Sequence, residues 1–482
     1  MTETEYDLII IGGGAVAENV ADRAVQGGLT AVLIESELVG GECSYWACMP
    51  SKALLRSGIA LRAAQKVEGT KQAVTGEIDV AATLKRRDSF THNWDDSSQV
   101  DWVEGAGIAL LRGHGRLTGV KRVSVEASDG TVTGLTARHA VVVSTGSDPA
   151  LPDVPGLADV APWTPRDATS AKVIPASLAI IGGGVVAVEM ATAYATFGCH
   201  VTVIARSGIL GGHEDFAAEI VGESLKKLGV TLALGVTPTN ARRGADGVVL
   251  TLSDGSDVVA AEVLVATGRQ PRTNDIGVDT VGLEPGDWLE VDDTLLVHGD
   301  TNHGQGWLYA TGDVNHRALL THQGKYQARA AGDVIVARAL GNAVHDGDWG
   351  AHAATADHAA VPQVTFSDPE VASVGLTSTA AEKAGYTTRV VDYDLGWVAG
   401  ASLQADDYAG KARMVVDEKR KVVLGVTFVG QDVSELIHAA TVAIVGEVPI
   451  DRLWHAVPAY PTMNEIWLRL LETYGRPGTR ES

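Results

Sequence analysis

One pattern occurs twice in this chain and leaves few folds open: an aliphatic run, then G-x-G-x-x-A, then a helix-forming segment. Leu8-Ile9-Ile10-Ile11 leads into Gly12-Gly13-Gly14-Ala15-Val16-Ala17, and Leu178-Ala179-Ile180-Ile181 leads into Gly182-Gly183-Gly184-Val185-Val186-Ala187. A buried strand that passes into a helix through such glycines is a dinucleotide-binding turn. Gly12 and Gly182 make the turn, Gly14 and Gly184 let the backbone approach a pyrophosphate, and Ala17 and Ala187 are small enough for the helix to pack on the strand. Two complete turns predict an α/β chain that binds two dinucleotides, or one beside the relic of a second site.

The two units differ after their second strands. Thr30-Ala31-Val32-Leu33-Ile34 ends in Glu35, an acid placed to accept the ribose hydroxyls of an adenosine. His200-Val201-Thr202-Val203-Ile204 ends in Ala205, and Arg206 follows. Without the carboxylate and with a guanidinium at hand, a 2′-phosphate is accommodated, which favours NADPH over NADH. The alternative is a surface arginine and an enzyme that uses both nucleotides. Strands closing on small residues recur at Val143-Ser144-Thr145-Gly146, Val265-Ala266-Thr267-Gly268 and Leu308-Tyr309-Ala310-Thr311-Gly312-Asp313. This echo fits a chain that leaves a sheet, builds an inserted domain and returns. Pro149, Pro152, Pro155 and Gly156 mark a boundary. Residues 56–100 read as largely helical and polar, with Lys85, Arg86 and Arg87 as a solvated face. From about residue 362, strands and helices alternate as in a separate α+β unit.

A second signal is chemical. Gly40-Gly41-Glu42-Cys43-Ser44-Tyr45-Trp46-Ala47-Cys48-Met49-Pro50-Ser51-Lys52 holds two of the three cysteines of the chain. Pro50 suits a first helical position, so Cys48 is expected just ahead of a helix, where unpaired N–H groups and the dipole stabilise a thiolate. A low-pKa thiol with a second thiol in reach is a redox dithiol. A net charge of -22 argues against nucleic acid and anionic membrane as partners. Three cysteines are too few for a secreted disulfide framework, the acidic N-terminus does not read as a signal peptide, and no apolar run spans a bilayer. A cytoplasmic protein is expected, in which a disulfide is catalytic or redox-sensing. No metal site is read.

On these residues the chain resembles the pyridine nucleotide–disulfide oxidoreductases, the flavoprotein family of dihydrolipoamide dehydrogenase, glutathione reductase and mercuric reductase. Gly12-x-Gly14-x-x-Ala17 with Glu35 is similar to the family's FAD turn, and Gly41-Glu42-Cys43 through Lys52 to its redox-disulfide helix. Ala310-Thr311-Gly312-Asp313 is similar to its second FAD motif, in which the Asp holds the ribitol. Val361-Pro362-Gln363-Val364-Thr365-Phe366-Ser367-Asp368-Pro369-Glu370 resembles the start of its dimerisation domain. The resemblance implies two Rossmann-like domains, for FAD and NAD(P)H, and an α+β dimerisation domain. The expected boundaries are 1–153 for FAD, 154–288 for NAD(P)H, 289–357 for the return to the FAD domain and 358–482 for dimerisation. It also implies a homodimer and roles for particular residues: Cys48 as the thiolate beside the flavin, Cys43 as the interchange thiol, Lys52 near flavin N5 and Glu189 as its ion-pair partner.

The chain departs from the family where the reductases carry His-Pro-Thr-x-x-Glu toward the partner's active site. Here the run is Tyr460-Pro461-Thr462-Met463-Asn464-Glu465. A tyrosine with an ordinary pKa near ~10 is a poor base at neutral pH and a serviceable hydrogen-bond donor. Mercuric reductases place a tyrosine there too, yet the run Arg476–Ser482 holds no cysteine pair. Dihydrolipoamide chemistry is thereby put in doubt for want of the base, and mercury for want of ligands; dihydrolipoamide dehydrogenase, with weak or absent activity, and a mercuric reductase-like flavoenzyme stay as alternative expectations. His455 would serve as base only if its loop folds back, and Cys199 reads as a small buried residue. The expected activity is transfer from NAD(P)H through FAD to the Cys43–Cys48 disulfide, then to a disulfide or other soft electrophile. Direct transfer from FAD to a quinone, with the cysteines auxiliary, is the competing expectation; a non-catalytic flavoprotein is a third.

Overall fold

The computed structural model describes residues 4–299 and 306–476, so the end of the run Arg476–Ser482 lies outside it. The chain forms two compact units, one of Met1–Pro50, Asp88–Ala150 and Gly268–His358, the other of Ser51–Arg87, Leu151–Thr267 and Ala359–Ser482.

In the first unit, strand β1 (Thr4–Ile11) runs parallel to β2 (Ala31–Glu35) on one side and to β6 (Val132–Val143) on the other. Strand β3 (Ala109–Arg112) extends the sheet beyond β2, and Leu308–Ala310 adds a parallel strand on β6. An antiparallel pair, β4 (His114–Gly119) and β5 (Arg122–Glu126), continues it from the outer half of β6. Alternate residues of the central strands enter different cores. Ile9, Ile11, Val141, Val143 and Ala310 pack on one face, and Leu8, Ile10, Ala140, Val142 and Tyr309 on the other. Covered on both faces, such strands are apolar without interruption, and each fully buried aliphatic side chain contributes about 1.5–3 kcal/mol. β6 shows both regimes: burial alternates in its outer half and is continuous over Ala140–Val143.

The second unit repeats the architecture with four parallel strands, Thr231–Leu234, His200–Ala205, Ser177–Ile181 and Glu262–Val265. It also holds a three-stranded antiparallel sheet over residues 238–260 and, within 363–430, a five-stranded antiparallel sheet. The amphipathic helix Glu465–Tyr474 covers that last sheet, with Ile466, Leu470 and Leu471 buried against Phe428 and Met414. This is the expected α/β fold with two dinucleotide-binding halves and an α+β C-terminal part. No helix among the described residues is long and apolar enough to cross a membrane.

Two local expectations are corrected. Helix α3 covers Cys48–Gln65, so it begins two residues before Pro50, and Cys48 is its first residue. Proline is still tolerated there, because the first four N–H groups of a helix have no intrahelical acceptor. Arg87 is not on a solvated face: it is fully buried in helix Val80–Phe90 and donates to the carbonyls of Thr169 and Ala171. Removing it strands two buried acceptors, each costing about 1–3 kcal/mol. Arg87→Ala is therefore expected to lower stability by roughly 3 kcal/mol in urea unfolding, whereas Lys85→Ala, at an exposed position, should change it by less than about 0.5 kcal/mol.

Candidate active site

The nucleotide turn of the first unit is built by backbone contact. Gly12 has φ of 107°, and an added Cβ would lie 2.4 Å from the Ser144 carbonyl oxygen, so only glycine fits. Gly14 precedes helix α1 (Ala15–Gln26) and offers no side chain to its first N–H groups, which stay available to an anion. Ala17 is fully buried where the helix meets the sheet. Glu35 ends β2 with its carboxylate held by two backbone donors, the N–H of Gly13 at 2.7 Å and of Glu37 at 2.7 Å. Burial, the main influence, holds its pKa above the usual carboxylate range.

The cysteine helix α2 (Gly41–Tyr45) docks directly on this turn. The Gly40 N–H donates to the Gly13 carbonyl at 2.8 Å, and a Cβ on Gly41 would lie 2.9 Å from the Gly14 Cα. Cys43 thus lies just beyond this close approach, and Cys48 opens α3. Both are half-buried cysteines, not joined as a disulfide. Hydrogen bonding to Cys48, followed by burial, raises Cys43 far above the ordinary thiol range; Thr321 and Lys325 act in the opposite sense. The Cys48 Sγ lies 3.4 Å from the Thr321 hydroxyl, at the start of helix Thr321–Leu340. Two adjoining thiols this close titrate as a pair, so removal of one proton makes loss of the second harder.

The other glycine endings converge on the same unit. Gly146, with φ of 76°, has no protein atom within 4 Å of its missing side chain, and the same is true of Gly268. The Thr145 hydroxyl donates to the Arg272 carbonyl at 2.8 Å, while the Arg272 guanidinium spans Asp148 at 2.6 Å and Glu42 at 3.6 Å. Asp313 follows Gly312, and one of its oxygens accepts the Ser147 hydroxyl at 2.6 Å. An uncapped helix start, a fixed carboxylate, open space at Gly146 and the Asp313 carboxylate form a donor and acceptor set that fits FAD.

In the second unit, Gly182 has φ of 130°, and an added Cβ would lie 2.2 Å from the Ala266 carbonyl oxygen. Gly184 precedes helix Val185–Thr196 with nothing within 4 Å of its missing side chain, and Ala187 is buried. A Cβ added to Gly13 would meet the Glu35 side chain at 2.8 Å, whereas one added to Gly183 would meet the Gly208 carbonyl oxygen at 2.2 Å and the Ala205 Cβ at 3.1 Å, so alanine stands in the place of the acid. Arg206 is exposed and has no ion-pair partner among the described residues. Lys52 Nζ lies 2.8 Å from Glu189 Oε2 and 4.9 Å from the centre of the Phe366 ring. Glu189, only 3% exposed, also accepts the Phe366 N–H at 2.9 Å. A half-buried lysine beside a buried, doubly bonded acid is a fixed cation. Tyr460 is 76% exposed and His455 is exposed as well. Glu465 is buried, bonded to Arg469, with one oxygen unpartnered. Cys199 is a buried thiol pushed up to about 12 by burial. No group of three metal-ligating side chains is arranged to hold an ion among the described residues.

Sequence reasoning missed Thr321, Lys325, Phe366 and Glu18. Glu18, in the first turn of α1, is buried with one oxygen unpartnered, and burial raises its pKa from 4.5 to about 7 against the pull of Lys325. A carboxyl raised on folding stabilises the fold below its unfolded pKa and loses that contribution as pH rises through the folded one. Glu18→Gln should accordingly be more stable than the native chain at pH 8, by on the order of 3 kcal/mol in urea unfolding, with the gap closing below about pH 5.

Comparison with known proteins follows the same lines. Residues 6–333 match the model described as pyridine nucleotide-disulphide oxidoreductase, and residues 361–470 match its dimerisation domain. A mercuric reductase of Staphylococcus aureus is 30% identical over 466 residues, covering 96% of this chain and 81% of its own length. A dihydrolipoyl dehydrogenase of Halobacterium salinarum is 29% identical over 478 residues, covering 97% and 96%. Among solved structures, the Cu(II) complex of the HOCl-induced flavoprotein disulfide reductase RclA from Escherichia coli matches with a TM-score of 0.83 at 21% identity, over 98% of this chain and 99% of its own. LpdA from Mycobacterium tuberculosis matches at 0.81 and 23%, over 97% and 99%. At these identities the structural likeness is one of fold.

Proposed function

Because the chain belongs to the pyridine nucleotide-disulphide oxidoreductase family, an FAD-dependent class of enzymes that uses NAD(P), we propose that it carries electrons from NADPH through FAD to the Cys43–Cys48 pair and on to a disulfide or other soft electrophile. The observation that carries this reading is the pairing of Cys43 with Cys48, with Thr321 beside both. Bound FAD supplies a two-electron carrier that takes hydride from the reduced nicotinamide. Two electrons and one proton open a Cys43–Cys48 disulfide to a Cys48 thiolate and a Cys43 thiol. Cys43 then bonds one sulfur of an acceptor disulfide, its proton passing to the sulfur that leaves as the first thiol, and the Cys48 thiolate attacks Cys43 to close the Cys43–Cys48 disulfide as the second sulfur leaves as a thiolate. Thr321 hydrogen-bonds the Cys48 sulfur, and Lys52, fixed by Glu189, supplies the cation that the family resemblance assigns to flavin N5.

The dimerisation-domain match supports a homodimer. We place Tyr460 and Glu465 at the partner's Cys43, with Tyr460 as hydrogen-bond donor. That assignment weighs against dihydrolipoamide as substrate, although relatives are named for it, and leaves the Hg(II) of the mercuric reductases in the acceptor panel. The domain boundaries at 153, 288 and 357 belong to the same proposal.

Cys48→Ser is expected to abolish the long-wavelength thiolate–flavin absorbance in an anaerobic NADPH titration and to cut disulfide reduction at least a hundredfold. Quinone reduction that persists at the native rate, together with disulfide reduction that also persists, would make direct transfer from FAD the correct route. For the nucleotide, Arg206→Ala should raise the KM for NADPH about tenfold or more, the worth of a charged hydrogen bond, and leave the KM for NADH within about twofold. Equal effects on both would reduce Arg206 to a surface residue.

A further inference from the structure

The turn that presents Asp313 is held from behind by a chain of buried amides. The Gly312 N–H donates to Gln327 Oε1 at 2.9 Å, and Asn315 Nδ2 donates to the same oxygen at 2.9 Å. Gln327 Nε2 donates in turn to Asp357 Oδ2 at 2.9 Å, and Gln323 Nε2 to Asp357 Oδ1 at 2.9 Å. The two glutamines lie one turn apart on helix Thr321–Leu340, and Gln327 is fully buried. Arg317 Nε, 3.2 Å from Asp357 Oδ2, supplies the countercharge for a carboxylate that is itself 8% exposed.

A side-chain amide is asymmetric: one end only accepts and the other only donates. Shape alone does not select which end of Gln327 faces Gly312. Asp357, when ionised, accepts on both oxygens, so it draws both glutamine NH2 groups toward itself and turns the Gln327 carbonyl outward to the Gly312 N–H. We propose that Asp357 is a positioning residue for the flavin: it sets the polarity of the Gln327 amide and thereby holds the Gly312–Asp313 turn that receives the cofactor. This rests on the reading of Asp313 as a flavin-binding residue. One Asp313 oxygen is committed to Ser147, and its other oxygen has no hydrogen bond among the described residues.

The test is FAD dissociation from the holoprotein, followed by flavin fluorescence. In Asp357→Asn an NH2 replaces one acceptor, so it either opposes a glutamine NH2 or forces Gln327 to turn its NH2 onto the Gly312 N–H. The FAD Kd should rise about tenfold or more, the range for one buried group left unpaired. Adding Gln327→Glu to Asp357→Asn keeps the net charge and gives back an acceptor to Gly312, Asn315 and the new amide, while Arg317 loses its nearer oxygen and keeps a carboxylate one residue further away in the same chain of contacts. The double variant should return to within about threefold of native, which a merely structural role for Asp357 would not produce. A native-like Kd in Asp357→Asn, or a double variant no better than the single, overturns the proposal. Should Asp357→Asn fail to accumulate, Gln327→Leu removes the acceptor for Gly312 directly, and an unchanged Kd there overturns it too. Asp313→Ala separates the underlying reading. If that variant binds FAD normally, the assignment of the turn to the flavin fails; if it binds weakly while Asp357→Asn binds normally, only the present proposal fails.

Discussion

Everything in the first unit turns on backbone meeting backbone where β1 ends. The Gly12 turn presses on the Ser144 carbonyl, and Gly41 presses on Gly14, with no room for a Cβ at either contact. Side chains would hold these segments several ångströms apart. Without them, three chain segments close around one point: the nucleotide turn, the cysteine helix and the end of β6. The uncapped N–H groups of α1 and the thiols of Cys43 and Cys48 therefore belong to one compact region, which is what transfer of electrons from a bound flavin to sulfur requires.

Around that point, the charges are held by fixed hydrogen-bond and ion-pair partners. Glu35 is used twice by its own turn, accepting from Gly13 and Glu37, which fixes its direction before any ribose arrives. Cys43 and Cys48 share their ionisation, so one thiol keeps its proton while the other takes the charge. In the second unit, Glu189 plays the anchoring part for Lys52 and is tied as well to the Phe366 backbone. Preorganised partners of this kind limit reorganisation when charge develops.

The two dinucleotide-binding units show how one backbone plan serves different cofactors. Gly13 and Gly183 occupy equivalent places, one against Glu35 and the other against Ala205. A carboxylate at that position disfavours a 2′-phosphate, and its replacement by a methyl group with Arg206 beside it is the basis of the proposed preference for NADPH. The glycine turns are alike; the proposed selectivity rests on a side chain and its neighbour.

Much of this was legible from residue order. The glycine turns, the strands feeding them, the paired cysteines and the acid at Glu35 are local patterns, because turns and strands are set by neighbours in the chain. The pairing of Lys52 with Glu189 was legible only through family resemblance, since nothing local distinguishes them from surface charges, and the same resemblance alone carries the proposed roles of Tyr460 and Glu465. Arg87 was misread for the complementary reason: a basic run on a helix gives no sign that a carbonyl at Thr169 will close over it. Thr321 beside Cys48, Phe366 under Lys52, Glu18 behind the nucleotide turn and Asp357 behind Gly312 all depend on contacts between segments tens to hundreds of residues apart. Sequence by itself determined which short stretches would turn, bury and carry sulfur. Only the tertiary structure decided which distant donors and acceptors would meet them, because burial and hydrogen-bond polarity are properties of the packed surroundings and not of the residue.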